Sequence, residues 1–219
     1  MIRSTNEGKY YDSNGNVFIS VNKKLDEIFI KKNDKLEKST LEKTACYLGT
    51  QLHNKIEKYY TNQRDNYYET EIETEIETEI ETWNQFTNFI NENSDLQIIG
   101  CEYTVADYSS MIAGTIDAVF KSTKTGKQII IDWKRTRELR MTSHDVEFVK
   151  KPLDKYYNTN YWRYVFQLNI YAEIMRRNGH QIDELWIIQF HPELSNYRKH
   201  IVPILLHDTI NFMGKNLNL

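Results

Sequence analysis

The chain of 219 residues is 40% hydrophobic and 27% charged, ordinary for one globular domain with or without a small helical appendage. Its only cysteines, Cys46 and Cys101, lack partners at C-x-x-C spacing, which excludes a zinc ribbon or a four-cysteine iron–sulfur cluster and points to a reducing, intracellular setting. The formal charge is −3, but Glu69, Glu71, Glu73, Glu75, Glu77, Glu79 and Glu81 place −7 in one tract; the remainder carries +4 (−3 less −7), so the negative sum excludes no polyanionic partner.

Residues 1–16 are polar and read as loose; Met1–Tyr10 has neither the apolar core of a signal peptide nor the Arg-rich pattern of a transit peptide. Asn16–Ile30 reads as an apolar approach into a helix, and Lys31–Ser39 as a charged connector. Thr40–Tyr60 is predicted helical, because Leu48, Leu52, Ile56 and Tyr59/Tyr60 recur every three or four residues. Tyr68–Thr82 is a low-complexity tract in which Ile72, Ile76 and Ile80 make one narrow stripe, while glutamates at i,i+4 weaken an isolated helix by a few tenths of a kcal/mol per pair. A solvated helical insertion running on into Trp83–Ile90 is expected, with an acidic partner-binding arm as the alternative.

From Leu96 the pattern changes to short β-branched runs. Gln97–Val105, Met111–Phe120 and Lys127–Trp133 read as three successive strands, with a turn at Lys124–Gly126 closing a hairpin. Arg135–Lys155 is basic loop with some helix, Tyr161–Arg177 is an amphipathic helix capped at Asn178–Gly179, and Glu184–Phe190 and Lys199–Leu205 are two further strands. The order predicts an α/β fold, a central mixed sheet flanked by helices with an N-terminal helical segment. The expected layout is an N-terminal extension over 1–39 packing on the core, a main domain over 40–205 with the insertion at 68–82, and a tail over 206–219. No run of about 18 apolar residues is present, so no membrane span is expected.

Two strands carry the chemistry. In GTIDAVF, Asp117 interrupts an apolar run; in QIIIDWKRT, three isoleucines lead into Asp132, Trp133 and Lys134. A carboxylate inside a strand is costly unless a partner or a metal compensates it. Asp132 and Lys134 are two apart and share a face, and Asp117 on the adjacent strand can point the same way. Two carboxylates and one ammonium at one spot suit phosphodiester hydrolysis: hard oxygens hold Mg²⁺, which activates water and clamps phosphate oxygens, and the lysine offsets developing charge. The plainer alternative is an Asp–Lys ion pair in a sheet.

This arrangement resembles the PD-(D/E)XK nuclease superfamily, and within it the RecB-like exonuclease branch. GTQLHNKIE places Gly49, His53 and Glu57 as the G-x-x-x-H motif of that branch, FQLNIYAE supplies Gln167 and Tyr171 as its Q-x-x-x-Y motif, and FISVNKKL is similar to the S-V-T segment of mitochondrial genome maintenance exonucleases, with Asn22 in place of Thr. DWKR, QLNIY and the following FHP strand are also similar to nucleases of large DNA viruses and phages, which would place the chain inside an infected host cell and in DNA repair or recombination. The usual Pro before the first Asp is Ile116 here, as is common in this branch, and the cysteine cluster of the Cas4-like members is missing, so no iron–sulfur cluster is implied.

The resemblance implies a restriction-endonuclease-like α-β-β-β-α-β core and a Mg²⁺-dependent deoxyribonuclease, with Mn²⁺ as substitute and one or two ions. The implied metal ligands are His53, Asp117, Asp132 and the Trp133 carbonyl, and Lys134, Gln167 and Tyr171 complete the catalytic set; read from the residues alone, Glu57 either binds a metal through water or orients His53, and Glu102, on the first strand, is either a further acidic ligand or an exposed strand glutamate. Arg135, Arg137, Arg140, Tyr161, Trp162 and Arg163 are expected to hold DNA, with cations on phosphates and rings on bases. The expected substrate is single-stranded DNA or DNA ends, and the acidic 69–82 tract is a candidate protein-partner site. An endonuclease of the same fold and a catalytically silent DNA-binding factor are the rival readings.

Overall fold

The computed structural model describes residues 2–5, 9–30, 40–61, 77–143 and 147–214. The repeat's residues 68–76, the connector 31–39 and the tail residues 215–219 lie outside them. The centre is an antiparallel meander of β4 (Leu96–Asp107), β5 (Ile112–Ser122) and β6 (Gln128–Arg135). The turn between β5 and β6 ends at Gly126, whose φ of 74° is a conformation that glycine adopts without strain. β7 (Glu184–Phe190) joins β6 in parallel, and β8 (Arg198–Val202) closes that side antiparallel to β7. β8 stops before Pro203, which has no N–H for the ladder and whose carbonyl accepts from Asn169 instead, so the strand expected to reach Leu205 ends three residues earlier.

The N-terminus corrects the expectation of a loose segment. β1 (Arg3–Ser4), β2 (Tyr10–Tyr11) and β3 (Val17–Ser20) form a small antiparallel ribbon, and β3 pairs in parallel with β5 through Ile19↔Ile112 and Ser20↔Ala113. An eight-stranded mixed sheet results. Ser20 then caps α1 (Val21–Leu25) by accepting from the Lys23 amide.

Two apolar layers sandwich the sheet. On one face α2 (Thr40–Thr61) and α3 (Glu77–Glu92) bury Leu52, Ile56, Phe86 and Phe89 against Ile129, Ile131 and Trp133. On the other, α1, α4 (Asn160–Arg177) and α5 (Leu206–Met213) cover Val119, Ile130, Leu185 and Ile187. Each such side chain contributes about 1.5–3 kcal/mol by leaving water. Alternation along β6 therefore sends Ile129, Ile131 and Trp133 to one layer and Ile130, Asp132 and Lys134 to the other. The expected tail contains α5, a short helix that buries Phe212 and Met213. The described end of the glutamate repeat, from Glu77, is the start of α3; there Thr82 is fully buried and Glu79 binds Arg135, so this part is fixed to the fold rather than solvated. No helix among the described residues is long and apolar enough to cross a membrane.

Candidate active site

β5 and β6 are paired from Lys121↔Gln128 to Ala118↔Ile131 and then part. β6 continues along β7 as far as Arg135↔Phe190, while the start of β5 is taken up by β3. Asp117 stands where the strands separate, and its Oδ2 accepts the Trp133 amide at 2.9 Å, replacing a ladder bond. Asp132 and Lys134 follow on the layer facing α4. The Lys134 Nζ lies 2.7 Å from Asp132 Oδ2, 4.0 Å from Asp117 Oδ2 and 4.9 Å above the Tyr164 ring. Asp132 is 1% exposed, and among the described residues its Oδ2 is ion-paired with the Lys134 ammonium but accepts no aligned hydrogen bond.

Two carboxylates facing one ammonium leave an excess negative charge. Burial pushes the Asp132 carboxyl up, and Asp117 adds to this against the pull of Lys134. Burial works against the charged form of Lys134, but Asp132 and Asp117 outweigh it and hold the ammonium firmly protonated.

α2 brings the third component. His53 Nε2 is 2.8 Å from the Trp133 carbonyl oxygen, and its Nδ1 is 3.6 Å from Asp117 Oδ2. From the far side, β4 sets Glu102 opposite Asp117 with a left-handed φ of 47°, rare for a residue with a Cβ. Burial, then Asp117 and Glu57, push the Glu102 carboxyl up to about 7. His53, Glu102 and Asp117 offer ligand atoms within 4.8 Å of one another. Imidazole nitrogen, hard carboxylate oxygens and a backbone carbonyl, with a buried oxygen lacking a hydrogen bond and surplus negative charge, suit a divalent cation.

α4 backs the site. Gln167 Nε2 donates to the buried Tyr171 hydroxyl at 3.3 Å, and burial keeps that hydroxyl protonated with Asp117 and Asp132 reinforcing the effect. Gly114 makes room for it, since a Cβ there would lie 2.6 Å from Tyr171 Cε1 and 3.0 Å from Val21 Cγ2. Sequence reasoning missed Gly114, although a glycine inside a strand three residues before Asp117 signals close approach. Tyr164, which the sequence did not single out, places its ring beneath the Lys134 ammonium.

The structure does not gather the expected DNA-binding residues. Arg135 is bound to Glu79 at 2.9 Å with its side chain 7% exposed, and Arg163 is bound to Asp26 and the Asn22 carbonyl. Tyr161 is buried in the core, and the Trp162 indole donates to the Met141 carbonyl while its ring packs on Tyr156. These four side chains make their contacts within the fold rather than standing free. Arg137 and Arg140 are exposed and make only surface pairs, with Glu193 and Glu138.

No protein-family model matches the chain. No curated protein matches it either. Among solved structures, a protein from Eubacterium rectale provisionally named an exonuclease is similar at TM-score 0.52 and 15% identity, over 90% of this chain and 77% of that one. The structure of SSO0001 overlaps 89% of this chain and 71% of its own at 17% identity, with a TM-score of 0.38. The first likeness is one of fold.

Proposed function

We propose that the chain is a Mg²⁺-dependent deoxyribonuclease of the RecB-like kind, an exonuclease acting on single-stranded DNA or DNA ends. The observation that carries this reading is the convergence of Asp117, Asp132, Lys134 and His53 where β5 and β6 part. The exonuclease name of the structurally similar Eubacterium rectale protein adds to it.

His53, Asp117, Asp132 and the Trp133 carbonyl would hold the cation. When bound, the ion supplies a water of lowered pKa and a counter-charge for the phosphoryl oxygens. Lys134, kept protonated by its two carboxylates, places a fixed positive charge where the phosphoryl group gains negative charge. The Asp117 bond to the Trp133 amide holds the two acidic strands in register. Tyr171 and Gln167 set the floor of the site, and Arg137, Arg140, Lys150 and Lys151 are exposed cations available to phosphates.

The test is digestion of linear and circular single-stranded DNA with Mg²⁺, with and without EDTA. The expected result is loss of the linear substrate alone, abolished by the chelator and restored by Mg²⁺ or Mn²⁺. Cutting of the circle would replace the exonuclease reading with an endonuclease, activity in EDTA would remove the metal, and no cutting of any DNA would overturn the enzyme.

A further inference from the structure

The set carried over from the resemblance leaves Glu102 without a defined task, yet its position is unusual. It sits on β4 between Cys101 and Tyr103, which pair with Ala118 and Ile116 on either side of Asp117, and it is half-buried, with Glu57 as a second acidic neighbour. Among the described residues no hydrogen bond or ion pair reaches its carboxylate. Lys134 is committed to Asp132 at 2.7 Å, with Asp117 at 4.0 Å. Asp132 and Asp117 thus share one ammonium and Glu102 stands close to Asp117 without one, while the fully buried Asp132 Oδ2 has an ion pair but no aligned hydrogen bond among the described residues. Like charges this close need a counter-ion. His53 supplies a nitrogen donor on the Glu102 side, its ligand atom lying within 4.8 Å of those of Glu102 and Asp117.

We infer that Glu102 is a metal ligand: with Asp117 and His53 it forms one cation position, beside a second that Asp117 shares with Asp132 and the Trp133 carbonyl, so that His53, grouped above around a single cation, belongs to the Glu102 side. This rests on the metal-dependent reading above and adds a residue to it. Asp117 then serves both positions, as expected of the carboxylate at the parting of the strands. Each position draws on a different strand, β4 for one and β6 for the other, so a single substitution can remove one of them. The ligand is a hard divalent cation, since two of the three donors are carboxylates.

The experiment is calorimetric titration of the metal-free full chain with Mn²⁺ in the absence of DNA. Glu102→Gln keeps the shape and removes the charge; it is expected to bind one Mn²⁺ fewer per chain, or that Mn²⁺ at least tenfold more weakly. Glu102→Gly controls for folding, because glycine adopts the φ of 47° without strain; it should lose the same Mn²⁺ while unfolding in EDTA at or above the parent temperature. Variants that match the parent in stoichiometry and affinity overturn the Glu102 assignment and leave the nuclease reading standing. A parent that binds no Mn²⁺ overturns both. Loss of Mn²⁺ in the variants of a parent that cuts no DNA upholds the cation position and overturns the nuclease.

Discussion

Replacing Gly114 with Ala tests the packing behind the site without touching an ionisable group. In an open strand Ala would stabilise by about 0.5–1 kcal/mol over Gly. Here the new methyl would sit 2.6 Å from Tyr171 Cε1, 3.1 Å from its hydroxyl oxygen and 3.0 Å from Val21 Cγ2. Normal carbon contacts are about 3.5 Å, so the ring must retreat by about an ångström. Tyr171 is 4% exposed and Val21 1% exposed, leaving little room to yield. Overpacking of this kind costs about 1–3 kcal/mol, or roughly 2–4 °C of Tm per kcal/mol in a chain of this size. A misplacement of about an ångström also lowers turnover by about a hundredfold. Urea unfolding of the parent, Gly114→Ala, Tyr171→Ala and the double variant measures the coupling: the penalty of Gly114→Ala should fall below about 0.5 kcal/mol once the ring is gone. A Gly114→Ala protein that unfolds at or above the parent midpoint and cuts at the parent rate would refute the packing described here.

Asp117→Ala, Asp132→Ala and Lys134→Ala should each lower cleavage at least a thousandfold, about 4 kcal/mol of barrier, in gel assays on folded protein; near-parent turnover in any one removes it from the site. In EDTA, the contribution of Glu102 to stability should decline as pH rises from 4.5, the ordinary Glu value, to about 7 and then level off, because burial raises its carboxyl to about 7 and in the folded state it holds its proton across that window. Glu102→Gln should flatten this part of a Tm-versus-pH series; an unchanged slope would contradict the assignment. His53→Ala should shift the Mg²⁺ concentration for half-maximal cutting upward while leaving DNA affinity in place; an unmoved midpoint excludes His53. Glu79→Ala, which strands the nearly buried Arg135 guanidinium, should cost about 3 kcal/mol in a denaturant titration, whereas deleting residues 69–75 spares that pair and should leave cleavage intact; equal stability in Glu79→Ala would show the pair to be idle.

Period and spacing made the centre of the fold legible. The β-branched runs became β4, β5 and β6, and a two-residue spacing put Asp132 and Lys134 on one face. What escaped had no period to read. β1 and β2 are two residues each, held by pairing with other strands, and α5 spans eight residues that bury Phe212 and Met213 by packing on α4. Arg135 and Arg163 looked like free cations because their partners, Glu79 and Asp26, are 56 and 137 residues away in sequence. Arg163, Gln167 and Tyr171 recur every four residues along α4, yet eight residues of helix span about 12 Å, so Arg163 docks on α1 while Tyr171 lies under the site. Glu102 could be suspected from its charge, but not its register against Asp117, which follows the shift in pairing between Ile98 and Gly100.

Where β5 and β6 separate, one rung of the sheet is a side chain, and this gives the protein a built-in spectroscopic probe. The Trp133 amide reports on a carboxylate rather than on a carbonyl, at 2.9 Å. Its proton chemical shift and exchange rate therefore follow the electron density on Asp117 Oδ2, which protonation or a bound cation withdraws. A single backbone resonance, one residue from Asp132 and one from Lys134, would then report a cation entering or leaving the proposed site without any substrate present.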